Sequence, residues 1–146
     1  MPLTQQQRDN ILLFSKSNEW TGVPYILGGD YAPGKPKSAG TDCSNFVLVC
    51  YNQYVTGLPP DLSAEGFTLS PLFEKITGTA LAEGDVIAFP KYDHPTNGTL
   101  AWHIGIVIDK AGQKFIGAQT STSVNDRPYG PGTWWGDRER GYYRFK

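Results

Sequence analysis

Apolar residues follow a helical rhythm in the first third of the chain and a strand rhythm after about residue 85. Thr4-x-x-Gln7 has the form of a capping box and predicts a helix running to about Ser17. Ile11 and Phe14 would supply its buried face, widened by Leu12 and Leu13. Trp20 to Asp30 is turn-rich, and Tyr31 to Gly40 reads as a loop. Phe46, Val47, Leu48, Val49, Cys50, Tyr51 and Tyr54 are nearly unbroken apolar residues, the mark of a buried helix. Thr41 or Asp42 can cap its start, and Gly57 is placed to end it. Ser70-Pro71 predicts a short helix towards Ile76. Beyond it, Val86 to Phe89 reads as a buried strand and Lys91 to Thr99 as a polar loop. From Trp102 to Ile108 the residues alternate: Trp102, Ile104, Ile106 and Ile108 share one face, and His103, Gly105 and Val107 the other. Lys114 to Gln119 completes a hairpin through Asp109–Gly112, and Tyr142 to Phe145 is a last strand. Helices first and strands afterwards is the α+β order rather than alternating βαβ.

Composition narrows this picture. One domain spanning residues 1–146 is the default for such a length. A 39 % hydrophobic share excludes a largely disordered chain. A net charge of −1 argues against a protein built to coat nucleic acid or an anionic membrane. Glycine (17) and proline (11) make up about a fifth of the chain, which favours a loop-rich fold. No apolar run approaches a membrane span, and no cluster has metal-ligand or phosphate-loop spacing, so neither metal nor cofactor is expected.

Two cysteines remain, and the pattern makes them unequal. On one helix, Cys43 and Cys50 would lie about 10 Å apart along the axis, too far for a disulfide. Cys50 falls mid-helix among apolar residues and reads as packing. Cys43 falls in the first turn, where unpaired amides and the positive helix end lower a thiol's pKa and can hold an oxyanion. His103 is the matching base, with Gly105 and Val107 leaving a low surface over which the helix is expected to pack. His94, in the polar loop, is the alternative base. A third group should orient the imidazole; Gln119 on the neighbouring strand is the candidate, with Asp93 and Asp126 as rivals. Trp134-Trp135-Gly-Asp-Arg138-Glu-Arg140 reads either as a loop tucked on the sheet or as a cleft wall.

Four blocks carry a family resemblance: Val23–Gly29, Thr41–Val47, Glu83–Phe89 and His103–Ile108. In that order they resemble the NlpC-type cell-wall cysteine peptidases. The resemblance implies a papain-like α+β fold, with N-terminal helices on a central antiparallel sheet and the nucleophile opening a buried helix. It implies Cys43 as nucleophile and His103 as general base. It further implies Tyr25 as a helper at the oxyanion, and Asp42 and Ser44 as readers of a stem-peptide amine. Asn45 departs from the family's usual glycine. Gly117 stands where the family often has an orienting histidine, which leaves Gln119 to replace it.

The expected function is a hydrolase of peptidoglycan stem peptides, cutting the D-glutamyl–diaminopimelate bond. The start of the chain lacks the pattern of a secretory signal. Delivery by a specialised route as an antibacterial effector is therefore expected, with a monomeric protein met by a cognate immunity partner. The alternatives are a phage or autologous lysin of the same chemistry, a catalytically dead wall-binding module, and an intracellular amidase or acyltransferase.

Overall fold

The computed structural model describes residues 2–93 and 100–146. Helix α1, Gln5–Ser15, opens on the expected capping box: Gln7 N–H donates to Thr4 Oγ1 (3.1 Å), and Thr4 N–H to Gln7 Oε1 (2.9 Å). It stops two residues short of Ser17, and Leu13 is 66 % exposed, so the buried stripe is narrower than expected and centres on Ile11. Helix α2, Cys43–Asn52, is apolar all round and buried from Phe46 to Tyr51. Asp42 is its cap. It ends well before Gly57, which instead turns the following loop at φ +92°.

Helix α3, Ala64–Leu69, was not predicted; Ser63 caps it, accepting from Gly66 N–H at 2.9 Å. The expected Ser70–Ile76 helix does not form. Phe73–Ile76 is strand β1, drawn into the sheet by pairing with the last strand. There Phe73 meets the rings of Tyr51, Phe67 and Phe145 at 5.7, 5.2 and 5.6 Å. Tertiary packing overrides the local Ser-Pro signal. Strand β2, Val86–Asp93, runs past the predicted Phe89 through a bulge between Phe89 and Tyr92. Strands β3, Leu100–Asp109, and β4, Lys114–Gln119, form the predicted hairpin, its turn tied by Gly112 N–H to Asp109 Oδ1 at 2.8 Å. Strand β5, Ser123–Pro128, is an unpredicted polar edge. Strand β6, Gly141–Phe145, closes the chain.

The six strands are antiparallel, in the order β1-β6-β2-β3-β4-β5, and the helices precede them almost entirely: the expected α+β arrangement. The sheet is covered on both sides. One core packs α2 on Val86, Ala88, Ile104, Ile106, Ile116 and Ala118. The second gathers Ile87, Phe89, Val107 and Phe115 under Tyr129 and Trp135. A buried carboxylate binds the layers together: Asp85, at the foot of β2, pairs with Arg8 of α1 (2.9 Å) and Arg144 of β6 (2.7 Å).

Candidate active site

The start of α2 is fixed by a mesh of backbone bonds. Asp42 Oδ1 accepts from Asn45 N–H (2.9 Å) and Ser44 Oγ (3.2 Å), and Oδ2 accepts from Gly28 N–H (3.0 Å). One carboxylate thus caps the helix and holds the preceding turn against it. Gly29 makes that approach possible, since a Cβ there would lie 2.6 Å from the Gly40 carbonyl oxygen. Tyr25 pairs with Thr41 through Ile26 N–H to Thr41 O (3.1 Å) and Thr41 N–H to Pro24 O (3.0 Å). Asn45, the departure from glycine, donates to Tyr31 O (3.0 Å) and Thr41 Oγ1 (2.9 Å), so it stitches the loop to the helix. Asp42 and Ser44 therefore flank Cys43, Tyr25 is bridged to Thr41 two residues before it, and the polar groups of Asp42 and Ser44 are engaged in holding this end together.

Cys43 is 8 % exposed. The backbone amides of Ile104, of Ser44 and of Cys43 itself lie near its sulfur. Each favours the thiolate. Burial opposes them and wins, with the neighbouring Asp42 charge adding to it, and the thiol is pushed up to about 12. This corrects the expectation that the helix start leaves a lowered pKa. Cys50 is deeper still, raised well above its ordinary value by burial and eased only by Trp20. Both cysteines are free, as their separation on the helix required.

His103 lies on β3 next to Ile104, but on the opposite pleat. The alternation read from the sequence is present; the packing expected from it is not. Helix α2 covers the Ile104–Ile106 face, while His103 sits on the aromatic face. Gly105 makes room for the Phe115 ring rather than for the helix: a Cβ there would run into that ring and lie 2.7 Å from Ile116 O. The ladder between β3 and β4 ends at Ile106 and Ile116, and just beyond it the Ile104 amide meets the Cys43 sulfur. Thus the thiol reaches the strand beside the histidine, at the place where the sheet loosens. Among the described residues no hydrogen bond joins Cys43 to His103.

The imidazole is 4 % exposed. Burial lowers its pKa to about 3, and a hydrogen bond with the Gln119 side chain pulls the other way. The ring nitrogen Nε2 faces Gly117 and, among the described residues, has no partner with good bonding geometry. A Cβ on Gly117 would lie 3.5 Å from that nitrogen and 3.4 Å from Gln119 Nε2. Gln119, 6 % exposed, folds back over Gly117, its amide reaching Gly117 O at 3.4 Å. It fills the space that a side chain at 117 would take. Asp126, a rival, is opposite Ile116 on β5 and so shares the helix-covered face, away from the imidazole. Asp93 falls on β2 with its side chain outside the described residues, and His94 lies outside them altogether.

The strand pattern missed the cover over His103. Trp135 lies parallel to the imidazole, 4.5 Å between centroids at 16°. Of the two readings of the Trp134–Arg140 patch, Trp135 follows the tucked-loop one, whereas Trp134 is 41 % exposed with the Arg138 guanidinium 3.6 Å over its ring. A separate cleft of about 260 Å³ lies between the end of α1 and β5, lined by residues such as Lys16, Trp20, Ile108 and Asp126. Among the described residues no group of histidine, cysteine and carboxylate side chains stands ready to hold a metal, and no helix is long and apolar enough to cross a membrane.

A helix-start cysteine against an antiparallel sheet, with a histidine on the adjoining strand position, defines the class of cysteine hydrolases with a papain-like fold. The model of the NlpC/P60 family matches residues 22–140, and the chain belongs to that family of cysteine peptidases and amidases. Among solved structures it resembles a protein described as similar to lipoprotein, NLP/P60 family, from Staphylococcus aureus, with a TM-score of 0.69 at 19 % identity. That match covers 99 % of this chain and 43 % of the other, so the chain spans less than half of its structural relative. No curated protein matches it.

Proposed function

We propose that the protein hydrolyses peptidoglycan stem peptides by thiol catalysis, with Cys43 as nucleophile, His103 as general base and Gln119 orienting the imidazole. The observation that carries the reading is the Cys43 sulfur at the head of α2, beside the backbone of Ile104 on the strand that carries His103. The amides of Ile104, Ser44 and Cys43 favour the thiolate that forms as the sulfur adds to a carbonyl. With the thiol near 12 and the imidazole near 3, the pair rests uncharged. The neutral imidazole is free to take the thiol proton as the C–S bond forms. It then returns that proton to the departing amine as the C–N bond breaks, and water cleaves the thioester in the second half. Gln119 suits the orienting role because its amide stands beside the ring in the space left by Gly117.

Family membership supports the peptidoglycan substrate. Within it we place the cut at the D-glutamyl–diaminopimelate bond, with Tyr25 assisting at the oxyanion and Asp42 and Ser44 meeting the peptide's free amine. Incubation with purified muropeptides, read by mass spectrometry, tests this. Wild type should release a free diaminopimelate amine and Cys43→Ala should not; identical products from both would refute the assignment. The biological part of the proposal is an antibacterial effector blocked by an immunity partner. Presentation of the protein in the periplasm of a bacterium should lyse it, whereas cytoplasmic expression or Cys43→Ala should not.

A further inference from the structure

The His103 ring is enclosed by aromatic groups from three elements. Phe89, its cross-strand partner on β2, stacks at 6.3 Å and 27°; Phe115 of β4 presents an edge at 5.8 Å; Trp135 lies flat on the ring at 4.5 Å. Trp135 is itself packed on Phe89 at 4.5 Å. The segment that carries it, from Tyr129 to Arg140, is built to hold still. Tyr129 is buried, with its N–H on Gln113 O at 2.8 Å. Thr133 Oγ1 donates to Gly130 O (2.7 Å) and accepts from Gly136 N–H (3.0 Å). Arg140 reaches back to Tyr129 O (2.6 Å) and to Gly136 O. Gly136 is pressed so close to Gly130 that a Cβ would collide with its carbonyl oxygen. The indole is therefore fixed to the sheet from both ends of its loop.

Such a cover matters because of how an imidazole is normally held. The χ2 torsion of histidine is broad, so the backbone of β3 does not choose a ring orientation. Hydrogen bonds usually choose it, but among the described residues Nε2 lacks a well-formed partner and Gln119 touches only one edge. The flat contact with the indole supplies what remains: it sets the plane of the ring and keeps water from one side. We propose that Trp135 is a second positioning residue of this site beside Gln119, and that the Tyr129–Arg140 loop is a clamp which holds its indole on the His103 ring. This rests on His103 being the base.

Among the described residues the groups against the imidazole are Phe89, Phe115, Gly117, Gln119 and Trp135, none of them charged, with the Cys43 thiol near the amide of the adjoining Ile104. Among the described residues no charged side chain shifts its titration. Removing the indole should therefore act through hydration and orientation. Trp135→Leu keeps apolar volume without a flat face; Trp135→Phe keeps a ring. We expect kcat to fall about 10²-fold in Trp135→Leu, with KM little moved and most of the loss recovered in Trp135→Phe. The acid limb of kcat/KM should move to higher pH. Imidazole NMR without substrate should show a ring that stays neutral through the folded range in wild type and titrates towards 6.5 in Trp135→Leu. If Trp135→Leu does not fold, Arg140→Gln should give a smaller shift in the same direction. An imidazole titration and pH profile unchanged in the folded variant would overturn the proposal. The titration also separates the two readings: a muropeptide digest indifferent to Cys43→Ala rejects the function, while the ring's response still decides the clamp.

Discussion

The two faces of the sheet meet the same strand in different ways. On the helix face, the apolar side chains of α2 share one core with Ile104 and Ile106, aliphatic and aromatic groups together. On the other face, a loop rather than a helix supplies the cover, and aromatic rings enclose one polar group, His103. The helix face delivers the thiol at the point where β3 and β4 part, and the aromatic face delivers the imidazole from the adjoining residue. The difference teaches that one strand can serve two environments: Ile104 brings its amide to the Cys43 sulfur, while its neighbour His103 turns to the aromatic rings.

Removing His103, the proposed base, breaks the comparison most severely. His103→Ala should lower kcat/KM on muropeptides about 10²- to 10⁴-fold while circular dichroism still reports a folded chain, because the helix-face core is untouched. Next comes the spacing between the β3 and β4 rings. Gly105→Ala should cost about 1–3 kcal/mol in urea unfolding by forcing Phe115 and the Ile116 backbone aside. If the helix packed on this face instead, the substitution would disturb α2 and not the ring cluster, a difference that aromatic NMR shifts would show.

The gentlest effect is on the pH dependence of stability, to which His103 contributes on the acid side and Cys43 on the alkaline side. The unfolded imidazole takes a proton near 6.5 and the folded one only near 3. The unfolded chain holds more protons between those values, so stability is lost as pH falls through them, by about 1 kcal/mol one unit below 6.5. The unfolded thiol gives up its proton near 9 and the folded one near 12. The folded chain holds more protons there, so stability is lost as pH rises through that window. His103→Gln should flatten the acid limb relative to wild type, and Cys43→Ala the alkaline limb, in thermal melts across pH.

Much of this was legible in the chain. Thr4 and Gln7 announced α1, Asp42 the start of α2, and Lys114–Gln119 appears with the bounds its pattern indicated. These signals are local: a cap, a run of apolar residues, a turn. What failed depended on partners far away in sequence. Phe73–Ile76 becomes a strand only because β6 lies beside it. Helix α3 has six residues, too few for a periodic signal, and β5 is a polar edge with no apolar alternation. At the site, alternation along β3 correctly grouped His103 with Gly105, yet no local pattern says which layer covers which face. Gln119 could be reached by phase with Gly117; Trp135 could not, because its contact with His103 is made by a loop some thirty residues on.

The most direct test of the account is to modify Cys43 and follow the reaction. Iodoacetamide treatment of the folded protein, with peptide mapping and muropeptide hydrolysis measured on the same samples, links one sulfur to one activity. Cys43 lies at the strand break and Cys50 in the core, 8 % and 0 % exposed. The account predicts that activity falls in step with alkylation of Cys43 while Cys50 stays unmodified. Full activity in protein whose Cys43 is completely alkylated would contradict it.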